Sequence, residues 1–143
     1  MSPVSRRTLL LALPVLVPTL ARAQAPFPPD EAAAIERTIR GQMDAFGRDA
    51  ADDAYRYAAP NVHEAFPTAD DFMSMVKRGY APVYRPRNVV FGALTAPNGV
   101  ATQEVDMIGP DGRAVTATYT LEQRPDGWVI TGCSLQPSLH EST

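Results

Sequence analysis

Between residues 30 and 46 the apolar positions Ala32, Ile35, Ile39, Met43 and Phe46 recur at steps of three and four, the spacing that aligns one face of a helix. This predicts an amphipathic helix capped by Asp30, with Glu31 in its first turn, and stopped at Gly47 in a left-handed conformation. A shorter helix is expected from Asp49 to Ala58, with Ala51, Ala54, Tyr55 and Ala58 on one stripe and Pro60 ending it. A third opens at Thr68, which forms a capping-box variant with Asp71. Phe72, Met75 and Val76 share its apolar face and Gly79 closes it.

From Val89 onward the period shortens to two. Val89–Ala96, Val100–Ile108, Arg113–Gln123 and Trp128–Leu135 are β-prone runs, broken by the turn signals Pro97-Asn98-Gly99, Gly109-Pro110-Asp111-Gly112 and Pro125-Asp126-Gly127. The third run alternates most cleanly. Val115, Ala117, Tyr119 and Leu121 take one face and Thr116, Thr118, Thr120 and Glu122 the other, so one face is buried. In the second run Val105 and Met107 oppose Glu104 and Asp106, which sends both carboxylates to solvent. Three helices followed by four strands joined through tight turns predict an α+β domain, a four-stranded antiparallel meander with the helices covering one face.

The N-terminal pattern is of another kind. Arg6 and Arg7 precede an apolar run from Leu9 to Leu20, and Ala21-Arg22-Ala23 has the small-x-small form of a signal-peptidase site. Pro14 and Pro18 interrupt the run, which is well short of the roughly 20 apolar residues of a membrane span, so no stable membrane anchor is expected. Ser5-Arg6-Arg7-Thr8-Leu9-Leu10 resembles the twin-arginine export motif, and Arg22 suits that route better than general secretion. The expected organisation is a signal peptide (1–23) cut between Ala23 and Gln24, an extended proline-rich lead-in (24–29), one α+β domain (30–137) and a short tail (138–143). The compartment implied is the bacterial periplasm or the exterior, reached through the export machinery.

Charge narrows the partners. The 143 residues carry 13 basic and 16 acidic side chains. Loss of Arg6, Arg7 and Arg22 with the signal would leave ten against sixteen, a net charge of −6. An acidic domain without a basic stripe is a poor partner for nucleic acid. Cys133 is the one cysteine, so no internal disulfide can form, and a thiolate zinc site is excluded. His63 and His140 are far apart and in no metal-ligand spacing. No metal and no cofactor are expected.

Among residues that could carry chemistry, the segment Tyr80-Ala81-Pro82-Val83-Tyr84-Arg85-Pro86-Arg87 is the richest. Tyr80 and Tyr84 offer flat faces with a hydroxyl, and Arg85 and Arg87 can grip a carboxylate or phosphate in bidentate fashion. The segment therefore reads as a ligand mouth, or as a stiff crossing whose tyrosines pack and whose arginines pair with surface acids. Cys133 has no His or Lys nearby in sequence to activate it and reads as a buried small apolar group. His63 and Glu64 are adjacent and point apart, and His140 lies at the frayed terminus. Phe66, Phe72, Met73 and Met75 read as core, with a ligand cavity as the alternative, and Trp128 as an apolar plug.

The stretch from Phe72 to Phe91, with Arg78-Gly79-Tyr80-Ala81-Pro82-Val83-Tyr84-Arg85-Pro86-Arg87 at its centre, resembles a bacterial exported family, domain of unknown function 4864. Tyr119-Thr120-Leu121-Glu122, Pro125-Asp126-Gly127-Trp128 and Gly132-Cys133 resemble its last two strands. The resemblance implies a cone of the nuclear transport factor 2-like type, with helices inside a strongly curved sheet and a pocket at the open end. It carries no reaction. Three functions follow as expectations: a non-catalytic module binding a small molecule or a protein, a small isomerase, dehydratase or cyclase using the cone pocket, and a structural module forming a homodimer through its threonine-rich sheet face.

Overall fold

A computed structural model describes residues 26–138 together with Ala12, Pro14 and Val15. Arg6, Arg7, the Ala23–Gln24 cut and His140 lie outside the described residues. The first helix, α1 (Pro29–Gly47), buries Ile35, Ile39, Met43 and Phe46 along the expected stripe, with Gln42 among them. Pro28, not Asp30, occupies its cap position, and Asp30 and Glu31 fall in the first turn, where carboxylates favour the helix dipole. The left-handed residue beyond its end is Asp49, at φ 52°, not Gly47.

Four further helices precede the sheet: α2 (Ala51–Arg56), α3 (Pro60–Ala65), α4 (Ala69–Gly79) and α5 (Ala81–Tyr84). Among the described residues five helices thus replace the three expected. The two missed, α3 and α5, are six and four residues long with proline in the first turn. Proline stops the preceding helix and also starts a new one, because its fixed φ suits the first helical position. One limb of the capping box expected at α4 forms, with the Thr68 hydroxyl accepting from the Asp71 amide at 3.1 Å.

The strands β1 (Asn88–Thr95), β2 (Ala101–Ile108), β3 (Ala114–Arg124) and β4 (Gly127–Pro137) form one antiparallel sheet in sequence order. Ala101, Gln103, Val105 and Met107 on β2 and Ala117, Tyr119 and Leu121 on β3 point to the helices and are buried. They join Ile35, Ile39, Phe46, Phe72 and Val76 in a single core. Glu104 is exposed, and Asp106 accepts the Thr116 hydroxyl at 2.7 Å on the outer face.

Two register shifts interrupt the sheet. Between Phe91 and Leu94 β1 slips against β2, and the buried Gln103 amide bridges the loosened backbone by donating to the carbonyls of Gly92 and Glu104 at 3.1 and 2.8 Å. Between Thr120 and Leu121 the partner moves from Gly132 to Ile130, so Thr131 is an extra residue in β4. There β4 turns to the helices: the Ile130 amide donates to the Tyr57 carbonyl and its carbonyl accepts from the Ala59 amide, both at 2.8 Å. This single parallel bridge holds the α2–α3 junction on the sheet.

Candidate functional site

The bulge and the bridge leave a space between the helices and the end of β4. A cavity of about 260 Å³ opens there, floored by Phe46, Phe72, Val76 and Tyr119, with Val62, Phe66, Met75 and Tyr80 toward its mouth. Gln42, Asn61, Thr131 and Cys133 supply the other polar groups of the wall, and among the described residues no Asp, Glu, His, Lys or Arg side chain lines it. Its size is near the lower end of small-molecule sites, about 300–1,000 Å³.

Tyr119 and Cys133 are direct cross-strand partners on the inner face. Tyr119 is 1% exposed, and among the described residues its hydroxyl has no partner better than the Cys133 thiol. The Cys133 thiol is near enough to affect its ionisation, but sulfur is a weak hydrogen-bonding group. Burial, reinforced by that thiol, pushes the Tyr119 phenol well above its ordinary range. Burial likewise pushes the Cys133 thiol up to about 12, against a smaller opposing effect of the Tyr119 hydroxyl. Both groups are therefore neutral at physiological pH, and the thiol is no nucleophile. Gln42, 4% exposed on the apolar stripe of α1, donates from Nε2 to the Ala54 carbonyl at 3.2 Å. Its Oε1 accepts no hydrogen bond among the described residues.

The mouth is built by α3, which contributes no buried residue. Three contacts hold it in place. Asn61 donates to the Thr131 carbonyl at 2.9 Å, His63 stacks on Tyr55 with ring centroids 3.8 Å apart, and the Tyr55 hydroxyl donates to the Phe66 carbonyl at 2.5 Å. His63 is half-buried, and with Glu64 it borders a second, wider groove of mixed charge, where Arg48 and Arg56 share Asp53.

The segment from Tyr80 to Arg87 is divided between two places. Tyr80 lines the cavity and donates its hydroxyl to the Cys133 carbonyl at 3.0 Å. Tyr84 and Arg85 turn away to the end of α1. The Tyr84 hydroxyl donates to Asp49, Arg85 donates to Asp49 at 3.1 Å and to the Gly47 carbonyl, and Lys77 approaches Asp49 at 3.8 Å. The Tyr84 hydrogen bond, followed by the nearby Arg85 and Lys77 charges, holds the Asp49 carboxyl below its usual range. The Arg87 amide donates to the Ile108 carbonyl at 2.7 Å, and its guanidinium lies near Gly112. Tyr80, Tyr84, Arg85 and Arg87 thus do not converge on one space.

Gln42 and Tyr119 were not singled out as site residues by the sequence reading. A signal existed for the first: a glutamine three residues after Ile39 and four before Phe46 interrupts an otherwise apolar stripe. Phe66, Phe72 and Met75 both pack in the core and wall the cavity, whereas Met73 only packs. Trp128 packs edge-on against Phe27 at 5.9 Å, away from the cavity.

Among the described residues, no three His, Cys, Asp or Glu side chains gather as metal ligands, and no helix is long and apolar enough to cross a membrane. Residues 29–143 match a family described as Domain of unknown function (DUF4864). No curated protein and no solved structure is significantly similar to the chain.

Proposed function

This chain belongs to the Domain of unknown function (DUF4864) family, and we propose that it is a non-catalytic module that holds a small molecule between its helices and its sheet. One observation carries the reading: a cavity walled by Phe46, Phe66, Phe72, Met75 and Val76 is lined, among the described residues, by no Asp, Glu, His, Lys or Arg side chain, and burial raises the pKa of both Tyr119 and Cys133. Apolar walls with a few placed polar groups suit binding. The proposal includes a nuclear transport factor 2-like cone, for which the slips in β1 and β4 are the supporting feature, since bulges curve a sheet.

It also includes twin-arginine export to the periplasm, supported by Ser5-Arg6-Arg7-Thr8 and Arg22. Replacing Arg6 and Arg7 together by Lys should abolish export of a folded reporter, and continued export would remove that route.

Binding is tested on protein purified from its own compartment, denatured and extracted for mass spectrometry. One compound should be recovered in near-equal molar amount, and it should be lost from a Val76→Phe variant that fills the cavity while remaining folded. Extracts empty of any such compound, or identical from both proteins, would overturn the reading.

A further inference from the structure

One polar group of the cavity is left unsatisfied among the described residues, and it defines what its occupant must offer. Gln42 Oε1 is an acceptor without a donor, since the amide nitrogen is already directed to Ala54. Tyr80 has spent its proton on the Cys133 carbonyl, so its oxygen too can only accept. The Tyr119 hydroxyl is closed off from the space, with the Cys133 thiol beside it. An occupant matched to this wall must donate a hydrogen bond.

Charge sets the second limit. Among the described residues no cationic or anionic side chain lines the cavity, and Tyr119 and Cys133 are kept neutral by the same burial an ion would meet. A carboxylate or ammonium entering this space would lose its hydration without gaining a counter-charge. Ketones, esters and ethers satisfy the neutrality but cannot donate to Gln42.

We propose that the cavity takes a small neutral molecule with an apolar body and one hydroxyl, an alcohol or phenol, whose hydroxyl donates to Gln42 Oε1. This rests on the cavity being a binding site and goes further by naming the chemistry of its occupant.

The test uses four probes of nearly equal size: 1-hexanol, methyl pentyl ether, hexanoate and hexylammonium. Each is titrated into the mature protein at pH 7 and followed by amide chemical shifts of cavity residues. Hexanol should bind at least about fivefold more tightly than the ether, the difference of about one hydrogen bond. The two ions should bind at least about a hundredfold more weakly than hexanol. Gln42→Met should erase the preference for hexanol over the ether while the ether still binds. Should Gln42→Met fail to fold, the Gln42 side-chain amide signal of the parent gives a second reading, since it should shift more with hexanol than with the ether. An unchanged preference in the folded Gln42→Met variant, a Gln42 signal that does not distinguish hexanol from the ether, or an ion bound as tightly as hexanol, would overturn the assignment and leave the cavity a binding site of other chemistry. Absence of binding by all four probes would overturn the binding reading itself.

Discussion

Tyr80 and Tyr119 wall the same cavity, yet removal of their hydroxyls should move stability in opposite directions. The Tyr119 hydroxyl is buried with only the Cys133 thiol beside it as a weak partner, so in the folded state it has given up water for little in return. An unsatisfied buried hydroxyl costs about 1–3 kcal/mol. Allowing for the weak contact with Cys133, Tyr119→Phe should stabilise the apo protein by about 1 kcal/mol. In a domain of this size that raises Tm by about 4 °C. The Tyr80 hydroxyl donates to the Cys133 carbonyl at 3.0 Å, and Tyr80→Phe should lose about 0.5–1.5 kcal/mol. Urea denaturation of the two variants beside the parent, without added alcohols, measures both. A Tyr119→Phe variant less stable than the parent by more than about 0.5 kcal/mol would refute the reasoning, because it would mean that the hydroxyl has a strong partner in the folded state.

Three other perturbations follow from particular contacts. The Cys133 thiol ionises at its ordinary 9.0 in the unfolded chain and at about 12 in the fold, so above pH 9 the unfolded state sheds a proton the fold retains. Stability should be full below pH 9 and fall by about 1.4 kcal/mol per pH unit up to about 12, a slope that Cys133→Ala should reduce in denaturation measured across that window. Gln103→Leu should destabilise by about 1–3 kcal/mol, since the Gly92 and Glu104 carbonyls at the β1 slip would lose their donor; a neutral result in urea would show that these carbonyls find other donors. Asp49 has its pKa lowered chiefly by the Tyr84 hydroxyl, then by Arg85 and Lys77, so its contribution is present above its ordinary pKa and lost as the pH falls below about 4. Stability followed from pH 6 to 3 should therefore decline less in Tyr84→Phe than in the parent.

Local rules were enough for the longer elements. The stripe Ile35, Ile39, Met43, Phe46 and the alternation Val115, Ala117, Tyr119, Leu121 place α1 and β3 because burial of one face imposes a period, and the period is written in consecutive residues. Thr68 before Asp71 reads as a cap for the same local reason. The short helices α3 and α5 were not legible, since one turn after a proline carries too few residues to show a period.

The cavity is a tertiary product. It exists because Thr131 is an extra residue in β4 and because Ile130 pairs both with Leu121 of β3 and with the α2–α3 junction, about seventy positions away in the chain. Tyr80, Tyr84, Arg85 and Arg87 are neighbours in sequence, but α5 turns the chain between Tyr80 and Arg85, so the first faces the cavity and Arg85 the end of α1. Gln42 and Tyr119 are far apart in sequence and share one wall. The hydrophobic pattern determined which faces are buried. Which polar groups on those faces remain without partners depended on the packing of distant elements, because a hydrogen bond is satisfied or lost over a few tenths of an ångström that no local pattern encodes.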